Sequence, residues 1–260
     1  MPFTLTTWNI LATAYIRRAW YPRTPRIVLE PVWRVPALVR HARDLGTDIL
    51  CLQEVELEVF DALRTGMEEL GYSGTHAMKG EERPDGCATF FRGFTLLSDR
   101  RIAYADGAGG CASGNIAQVL LFEHQGKRLG IANTHLKWDP PETPRDRQLG
   151  YRQIRQAIEA LRTEADSPGG QIVCGDLNVA PDSDVVEAML GEGFDYAHRH
   201  CPGARTCNSN KQPKLIDHVF YRGSLRAHPI LPAEVGEETL LPSLEQPSDH
   251  VPLAAQFDWT

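Results

Sequence analysis

The segment Gln171-Ile-Val-Cys-Gly-Asp-Leu-Asn178 decides how the rest of the chain is read. Ile172, Val173 and Cys174 are apolar, and Gly175 stops them, which is the pattern of a short buried strand ending at a surface. Asp176 and Asn178 follow, two apart. If extended geometry continues, both side chains leave one face at the strand's end. If it does not, Asp and Asn are ordinary turn formers. A carboxylate beside a carboxamide suits a metal-held water and a phosphate oxygen. Four residues alone do not separate a turn from a site; the number of similar strand ends elsewhere does.

Outward from this segment, strands and helices alternate. Thr4 to Trp8 is β-prone and ends at Asn9. Val35, Leu38, Val39, Ala42 and Leu45 form a helical stripe within 33–45, with Gly46 as its stop. Asp48-Ile-Leu-Cys-Leu-Gln-Glu54 reads as a buried strand ending in a carboxylate, and Leu57 to Leu70 as a second helix. Short strands are expected at 87–92, 95–97 and 101–104, then a flexible Gly- and Ala-rich loop at 106–114. Ile116 to Phe122 and Arg128 to His135 form a hairpin turning at Gln125-Gly126. A long helix is expected over about 145–165, ended by Ser167-Pro-Gly-Gly170, and a short one to Leu190 capped by Asp182 or Ser183. Strands follow at 215–221, 225–231 and 251–257. Two stretches have no period: Thr13 to Pro31, which is suited to covering a site, and Cys201 to Gln212. Without repeats or a long linker, 1–260 reads as one layered α/β domain.

Composition narrows the function. At 260 residues and 42% hydrophobic content the chain can bury one large core. No apolar run is long enough to span a bilayer, and the first residues lack the form of a signal peptide. Of the six cysteines, Cys51, Cys87 and Cys174 fall inside apolar runs. These features point to a reducing cytoplasm and no disulfide framework. The net charge of −7 disfavours a protein that grips a long polyanion through a basic surface. It favours a short or small phosphate-containing substrate, and no obligate protein partner is evident.

Polar groups recur where the strands end: Asn9, Glu54, Asn133 with His135, Asp176 with Asn178, and Asp217 with His218. Asp249-His250 precedes the last strand. Singly, each is a cap or a locally satisfied side chain. Together they are expected to converge on one rim of a layered α/β protein. Glu54, Asp176 and Asp249 are hard oxygen donors suited to Mg²⁺ or Mn²⁺. Asn9 and Asn178 add uncharged ligands for water or phosphoryl oxygen, and His250 beside Asp249 has the form of an oriented imidazole. This is the donor set of a minimal phosphoester hydrolase.

Thr7-Trp-Asn9-Ile, Leu52-Gln-Glu54-Val, Asn133-Thr-His135-Leu, Gly175-Asp-Leu-Asn178, Ile216-Asp217-His and Ser248-Asp249-His250 stand in the order of the endonuclease/exonuclease/phosphatase superfamily. The chain resembles that superfamily over nearly its whole length. Asp85-Gly-Cys-Ala-Thr-Phe-Phe91, Asn133-Thr-His-Leu-Lys-Trp-Asp-Pro140 and the approach to Ser248-Asp-His250 resemble the branch of CCR4-type deadenylases, nocturnin, the 2′-phosphodiesterase and Angel proteins. The resemblance implies a four-layer α/β sandwich, two packed mixed sheets flanked by helices. It implies Glu54 as principal metal ligand, assisted by Asn9 and Asp249. Asp176 would orient or activate water, Asn178 would hold the scissile phosphate, and His135 and His250 would contact the phosphoryl group. Asp217 would orient a neighbouring histidine or a second metal, and Lys79 would match a phosphate-binding lysine. Asn133, Trp138 and Asn208 are candidate substrate contacts, Trp138 as a ring for base stacking, with Arg205, Asn210 and Lys211 in the same loop region. His218 departs from the branch, which usually has Tyr, and is read equally as core or as site. His198, His200, Cys201 and Cys207 do not have structural-zinc spacing.

The implied activity is Mg²⁺-dependent hydrolysis of RNA or short oligonucleotides, as a 3′–5′ exoribonuclease or phosphodiesterase. The alternatives are a phosphatase on a 2′, 3′ or 2′,3′-cyclic terminal phosphate or a nucleotide 2′-phosphate, and an inactive module that binds nucleotides or a partner.

Overall fold

The computed structural model describes residues 1–80, 82–107, 112–164, 169–209 and 211–260. Two six-stranded sheets pack face to face. The first contains β1 (Phe3–Asn9), β2 (Ile49–Glu56), β3 (Ser73–Met78), β4 (Asp85–Phe91), β13 (Leu225–Ile230) and β14 (Leu253–Trp259), in the order β13-β14-β1-β2-β4-β3. The second contains β5 (Thr95–Ala103), β6 (Ile116–His124), β7 (Lys127–His135), β8 (Gly170–Asp176), β9 (Asp195–Tyr196) and β12 (Asp217–Gly223), in the order β5-β6-β7-β8-β12-β9. A small hairpin of β10 (Cys207–Ser209) and β11 (Gln212–Lys214) stands apart.

Each sheet holds one parallel pair at its centre, β1 with β2 and β7 with β8, and antiparallel pairs on either side. Parallel pairs need covered faces. Helices α1 (Pro31–Leu45) and α2 (Leu57–Glu68) cover the first sheet, where Leu38, Leu63 and Met67 meet Trp8, Leu50 and Leu52. Helices α3 (Leu149–Glu164) and α4 (Asp184–Gly191) cover the second, where Ile154, Leu161 and Met189 meet Val119 and Val173. Between the sheets lie Leu5, Ile49, Ile131, Ile172 and Leu253, each at 0% exposure, so each contributes about 1.5–3 kcal/mol by burial. These are the four layers expected from the resemblance.

The boundaries of several elements differ from expectation. The α1 helix starts two residues earlier, at Pro31, because proline's fixed φ and missing N–H suit a first helical turn. The strands expected at 95–97 and 101–104 are one strand, β5, carrying an irregularity between Leu96 and Ser98. Strand β3 has no alternating apolar pattern in Ser73-Gly-Thr-His-Ala-Met78 and was not expected; its pairing to β4 makes it a strand. Residues 201–212, expected to be irregular, contain β10 and the start of β11. The end of the long helix at Ala165, the Ser167-Pro168 stop and positions 108–111 of the Gly-rich loop lie outside the described residues, as does Asn210. Ser183, one of the two proposed caps, accepts from the Val186 backbone N–H.

Candidate active site

The parallel pairs carry the site because both run the same way to one rim. In the second sheet His135 and Asp176 are register partners, and Asp217 lies opposite Asp176 on the next strand. In the first, Asn9 pairs with Gln53, and a bulge between Gln53 and Val55 turns Glu54 out of register. Glu54 has φ of 58°, a left-handed conformation costly for a residue with a Cβ and typical of functional positions. Gly175 is required where β8 passes β7. Its φ is 143°, and an added Cβ would lie 1.8 Å from the Thr134 carbonyl oxygen.

Asn9 joins the two rims. Its Nδ2 donates to Glu54 Oε1 and to Asp176 Oδ2, both at 3.0 Å. The Ala12 backbone N–H donates to Glu54 Oε2 at 2.8 Å. Asp176 Oδ2 lies 3.6 Å from His135 Nε2 and 3.7 Å from His250 Nε2. His250 Nδ1 hydrogen-bonds Asp217 Oδ2 at 2.8 Å. Trp8 Nε1 donates to the His250 carbonyl, and Ser248 Oγ donates to the Asn9 carbonyl, which ties the segment before β14 to β1.

The strand does not continue through Asp176 to Asn178. Asn178 has φ of 55°, and its backbone N–H donates to Asp176 Oδ1 at 2.9 Å. The turn reading and the site reading therefore hold together. Asn178 Nδ2 faces His135 Nε2 at 3.0 Å and donates to the Leu136 carbonyl at 3.0 Å. The carboxamide nitrogen is thus held between His135 and the Leu136 carbonyl, and it positions the imidazole.

Burial and neighbouring charge set the protonation states. Burial raises Asp176 to about 7, against the opposing pull of His250 and of the Asn9 hydrogen bond. Burial also raises Glu54, and the nearby charge of Asp249 raises it further. His135 is lowered well below the ordinary imidazole value by burial and then by Lys79. Burial pulls His250 down as well, but Asp217 and Asp176 outweigh it and hold this imidazole well above its ordinary value. Two imidazoles flanking one carboxylate are thus driven in opposite directions, the arrangement that separates acid from base roles.

Asp176, Asp217 and His250 bring ligand atoms within 4.8 Å of one another. Their short imidazole–carboxylate hydrogen bond makes them a proton-holding chain more than an ion cage. The hard-donor pocket is on the other side. There the charge of Asp249 raises the cost of ionising Glu54, which a divalent cation would relieve, while Asn9 turns its Nδ2 to Glu54 and its Oδ1 to the Leu11 backbone N–H. Tyr21 Oη donates to Asp249 Oδ2 at 2.8 Å and orients it. These residues fit a hard divalent ion.

Four expected substrate contacts are placed elsewhere. Asn133 is fully buried between the sheets, where it accepts from Gln53 Nε2 and donates to the carbonyls of Leu52 and Ala88. The period of a strand predicts this, since Asn133 and His135 share a face but only the latter reaches the end. Asn208 donates to the carbonyls of Gly236, Glu237 and Thr239 and closes that loop. Lys211 pairs with Glu238. Lys79 lies beneath the site, ion-paired to buried Asp85 at 2.7 Å and 3.4 Å from His135 Nδ1. His218 is buried against Tyr196 and Phe220, with Nε2 2.9 Å from the Val179 carbonyl, so it packs in the core and steadies the loop after Asn178. Trp138 stands at the mouth, 55% exposed. Sequence reasoning missed Tyr15 and Tyr21; Tyr15 Oη donates to Asp85 Oδ1 at 2.5 Å. The clustering of tyrosines in the loop after Asn9 was the available signal.

The centre opens into a cavity of about 600 Å³ lined by Asn9, Glu54, His135, Asp176, Asn178 and His250, with Trp138 and Lys137 at its edge. Past Trp138 and Asn178 it leads to a groove of about 990 Å³ reaching Arg205 and Lys214.

Two mixed sheets with acids, amides and imidazoles on the shared rim of their parallel pairs define a phosphoester hydrolase. Residues 6–250 match the Endonuclease/Exonuclease/phosphatase family, and the chain belongs to it. Members hydrolyse phosphoester bonds and generally use divalent metals. The chain is 25% identical to the CCR4-Not complex 3′-5′-exoribonuclease subunit Ccr4 of Candida albicans over 98% of its own length and 41% of that protein's. It is 25% identical to human 2′,5′-phosphodiesterase 12 over 97% of its length and 51% of that protein's. It therefore spans about half or less of these two relatives. In fold it matches ANGEL2, a 2′,3′-cyclic phosphatase solved with adenosine-2′,3′-vanadate, with a TM-score of 0.85, 22% identity, and coverage of 99% of this chain and 95% of that one.

Proposed function

We propose that residues 1–260 act as one catalytic domain, a Mg²⁺-dependent phosphodiesterase that shortens RNA or short oligonucleotides from the 3′ end. The observation that carries this reading is the shape around Asp176. Its carboxylate faces two imidazoles in a cavity that opens past Trp138 into a longer groove, leaving room for a nucleotide leaving group. Relatives named as an exoribonuclease and a phosphodiesterase agree with it. Buried free thiols at Cys51, Cys87 and Cys174 accord with a cytoplasmic setting.

When bound at Glu54 and Asp249, a divalent cation supplies positive charge to the phosphoryl oxygens and acidifies water. The chain does the rest. Asp176 takes the proton of the attacking water, its two oxygens held by Asn9 and by the Asn178 backbone. His250, kept protonated by Asp217, donates from Nε2 to an oxygen gaining charge. His135, neutral and fixed by Asn178, lines the opposite side.

The test is a 5′-labelled oligoadenylate ending in 3′-hydroxyl, 3′-phosphate or 2′,3′-cyclic phosphate, incubated with Mg²⁺ or Mn²⁺ and with a Glu54→Ala control. The 3′-hydroxyl form is expected to give a ladder that the control lacks. Loss of terminal phosphate at constant length would replace this reading with the phosphatase. No product in any lane would leave the binding module.

A further inference from the structure

We propose that the segment between β1 and α1 carries a second nucleobase and phosphate platform, Trp20 with Arg17, facing Trp138 and Lys137 across the catalytic cavity. The substrate is then a single-stranded oligonucleotide with a base on each side of the scissile phosphate. The inference rests on the phosphodiesterase reading and specifies its substrate.

Trp20 and Arg17 line the same cavity as Glu54, Asp176 and His250. Trp20 is 68% exposed, more than Trp138 at 55%. Among the described residues neither indole stacks on another ring or donates its N–H to the protein. An exposed large ring is informative where a rigid support holds it out. Here the support is explicit on both sides of Trp20. The Thr13 backbone N–H donates to Glu56 at 2.8 Å, and Tyr15 Oη to Asp85 at 2.5 Å. Arg18 Nη1 donates to the Thr24 carbonyl at 2.5 Å, Tyr21 Oη to Asp249 at 2.8 Å, and Thr24 Oγ1 to the Pro242 carbonyl at 3.0 Å. The segment is thus pinned to Glu56, to Asp85 beneath the site and to Asp249 of the site, while its largest apolar side chain is left in the mouth.

The cations show the same contrast. Arg23 and Arg26, on the same segment, pair with Glu238 and Glu30. Arg17 donates to the Ala14 and Ile16 carbonyls and, among the described residues, pairs with no carboxylate; neither does Lys137. Two uncompensated cations beside two exposed indoles, in a chain of net charge −7, place the positive charge where a phosphodiester backbone would cross. Aromatic faces accept any base, and the cations track the phosphates. A preformed support reduces the ordering cost of binding.

The experiment measures equilibrium binding of single-stranded tetra-adenylate in EDTA by filter retention, so that no turnover is needed. Trp20→Ala is expected to weaken binding roughly 5- to 100-fold, with Trp20→Phe recovering most of the loss. Arg17→Gln is expected to lower the slope of log affinity against log salt by about 0.7. Unchanged affinity in Trp20→Ala, or no recovery in Trp20→Phe, overturns the platform. Hydrolysis in Mg²⁺ separates the two ideas. Oligonucleotide bound through Trp20 but never cut removes the hydrolase reading and leaves the platform. Cutting by wild type with affinity indifferent to Trp20 does the reverse.

Discussion

The two sheets have the same pairing plan but deliver different chemistry to the rim they share. The first sheet ends in Asn9 and a strained Glu54, and it holds Asp249 through the tether of Ser248 to Asn9. The second ends in His135, Asp176 and Asp217, and it engages His250, which arrives from the segment before β14 of the first sheet, through Asp217. One half gathers oxygen donors whose charges repel. The other interleaves carboxylates with imidazoles whose protonation is split. Equal backbone plans thus give unequal electrostatics, because the sheet fixes only where side chains emerge. Which charges neighbour one another then decides whether a half holds a cation or moves a proton.

Isosteric removal of one carboxylate from each half tests this division most severely. Asp176→Asn is expected to cut kcat about 10³- to 10⁴-fold, with no recovery at high Mg²⁺, since a general base cannot be replaced by more cation. Glu54→Gln should lose about 10²-fold at low Mg²⁺ and regain part of it as Mg²⁺ rises. Steady-state kinetics against Mg²⁺ concentration reads both, and the same Mg²⁺ response in the two variants would end the distinction.

The joint between the halves comes next. Asn133→Ala removes an acceptor of Gln53 Nε2, which keeps Thr7 Oγ1 and the Cys51 carbonyl, and the side-chain donor to the Leu52 and Ala88 carbonyls in a buried interface. It is expected to lower unfolding free energy by about 2–3 kcal/mol in a denaturant titration, with oligonucleotide affinity kept. A variant as stable as wild type that no longer binds would return Asn133 to the substrate.

The smallest effect is on pH. Asp217 raises His250, so Asp217→Asn lowers that imidazole and deprotonates it earlier as pH rises. The alkaline limb of kcat/KM should move to lower pH. The acid limb, assigned to Asp176 near 7 in the metal-free site, should move less. Equal movement of both limbs would mean that the pair titrates as a unit.

Much of this was legible in the sequence because strand ends punctuate themselves. Gly175 after three apolar residues, and Gln53-Glu54 after four, mark where a buried strand meets solvent. Asn9, Glu54, His135, Asp176, Asn178, Asp217, Asp249 and His250 were each found that way, and the structure brings them together. Asn133 and Asn208 were misread because polar type does not reveal whether the nearest acceptor is a ligand or a carbonyl of the protein itself. The left-handed turn at Asn178 was hidden for a related reason, since Asp-x-Asn serves a strand end and a turn equally. The role proposed for Trp20 required knowing that its neighbours' side chains are pinned and its own is not.

The last strand has a consequence for synthesis. Strand β14 inserts between β13 and β1, with Phe257 opposite Phe3, and the segment leading into it brings Asp249 and His250. A growing chain therefore displays Glu54 and Asp176 long before it owns His250. Contacts between such distant positions form late, because the loop they close must be ordered first. The cluster at the rim is therefore incomplete until β14 docks against β1.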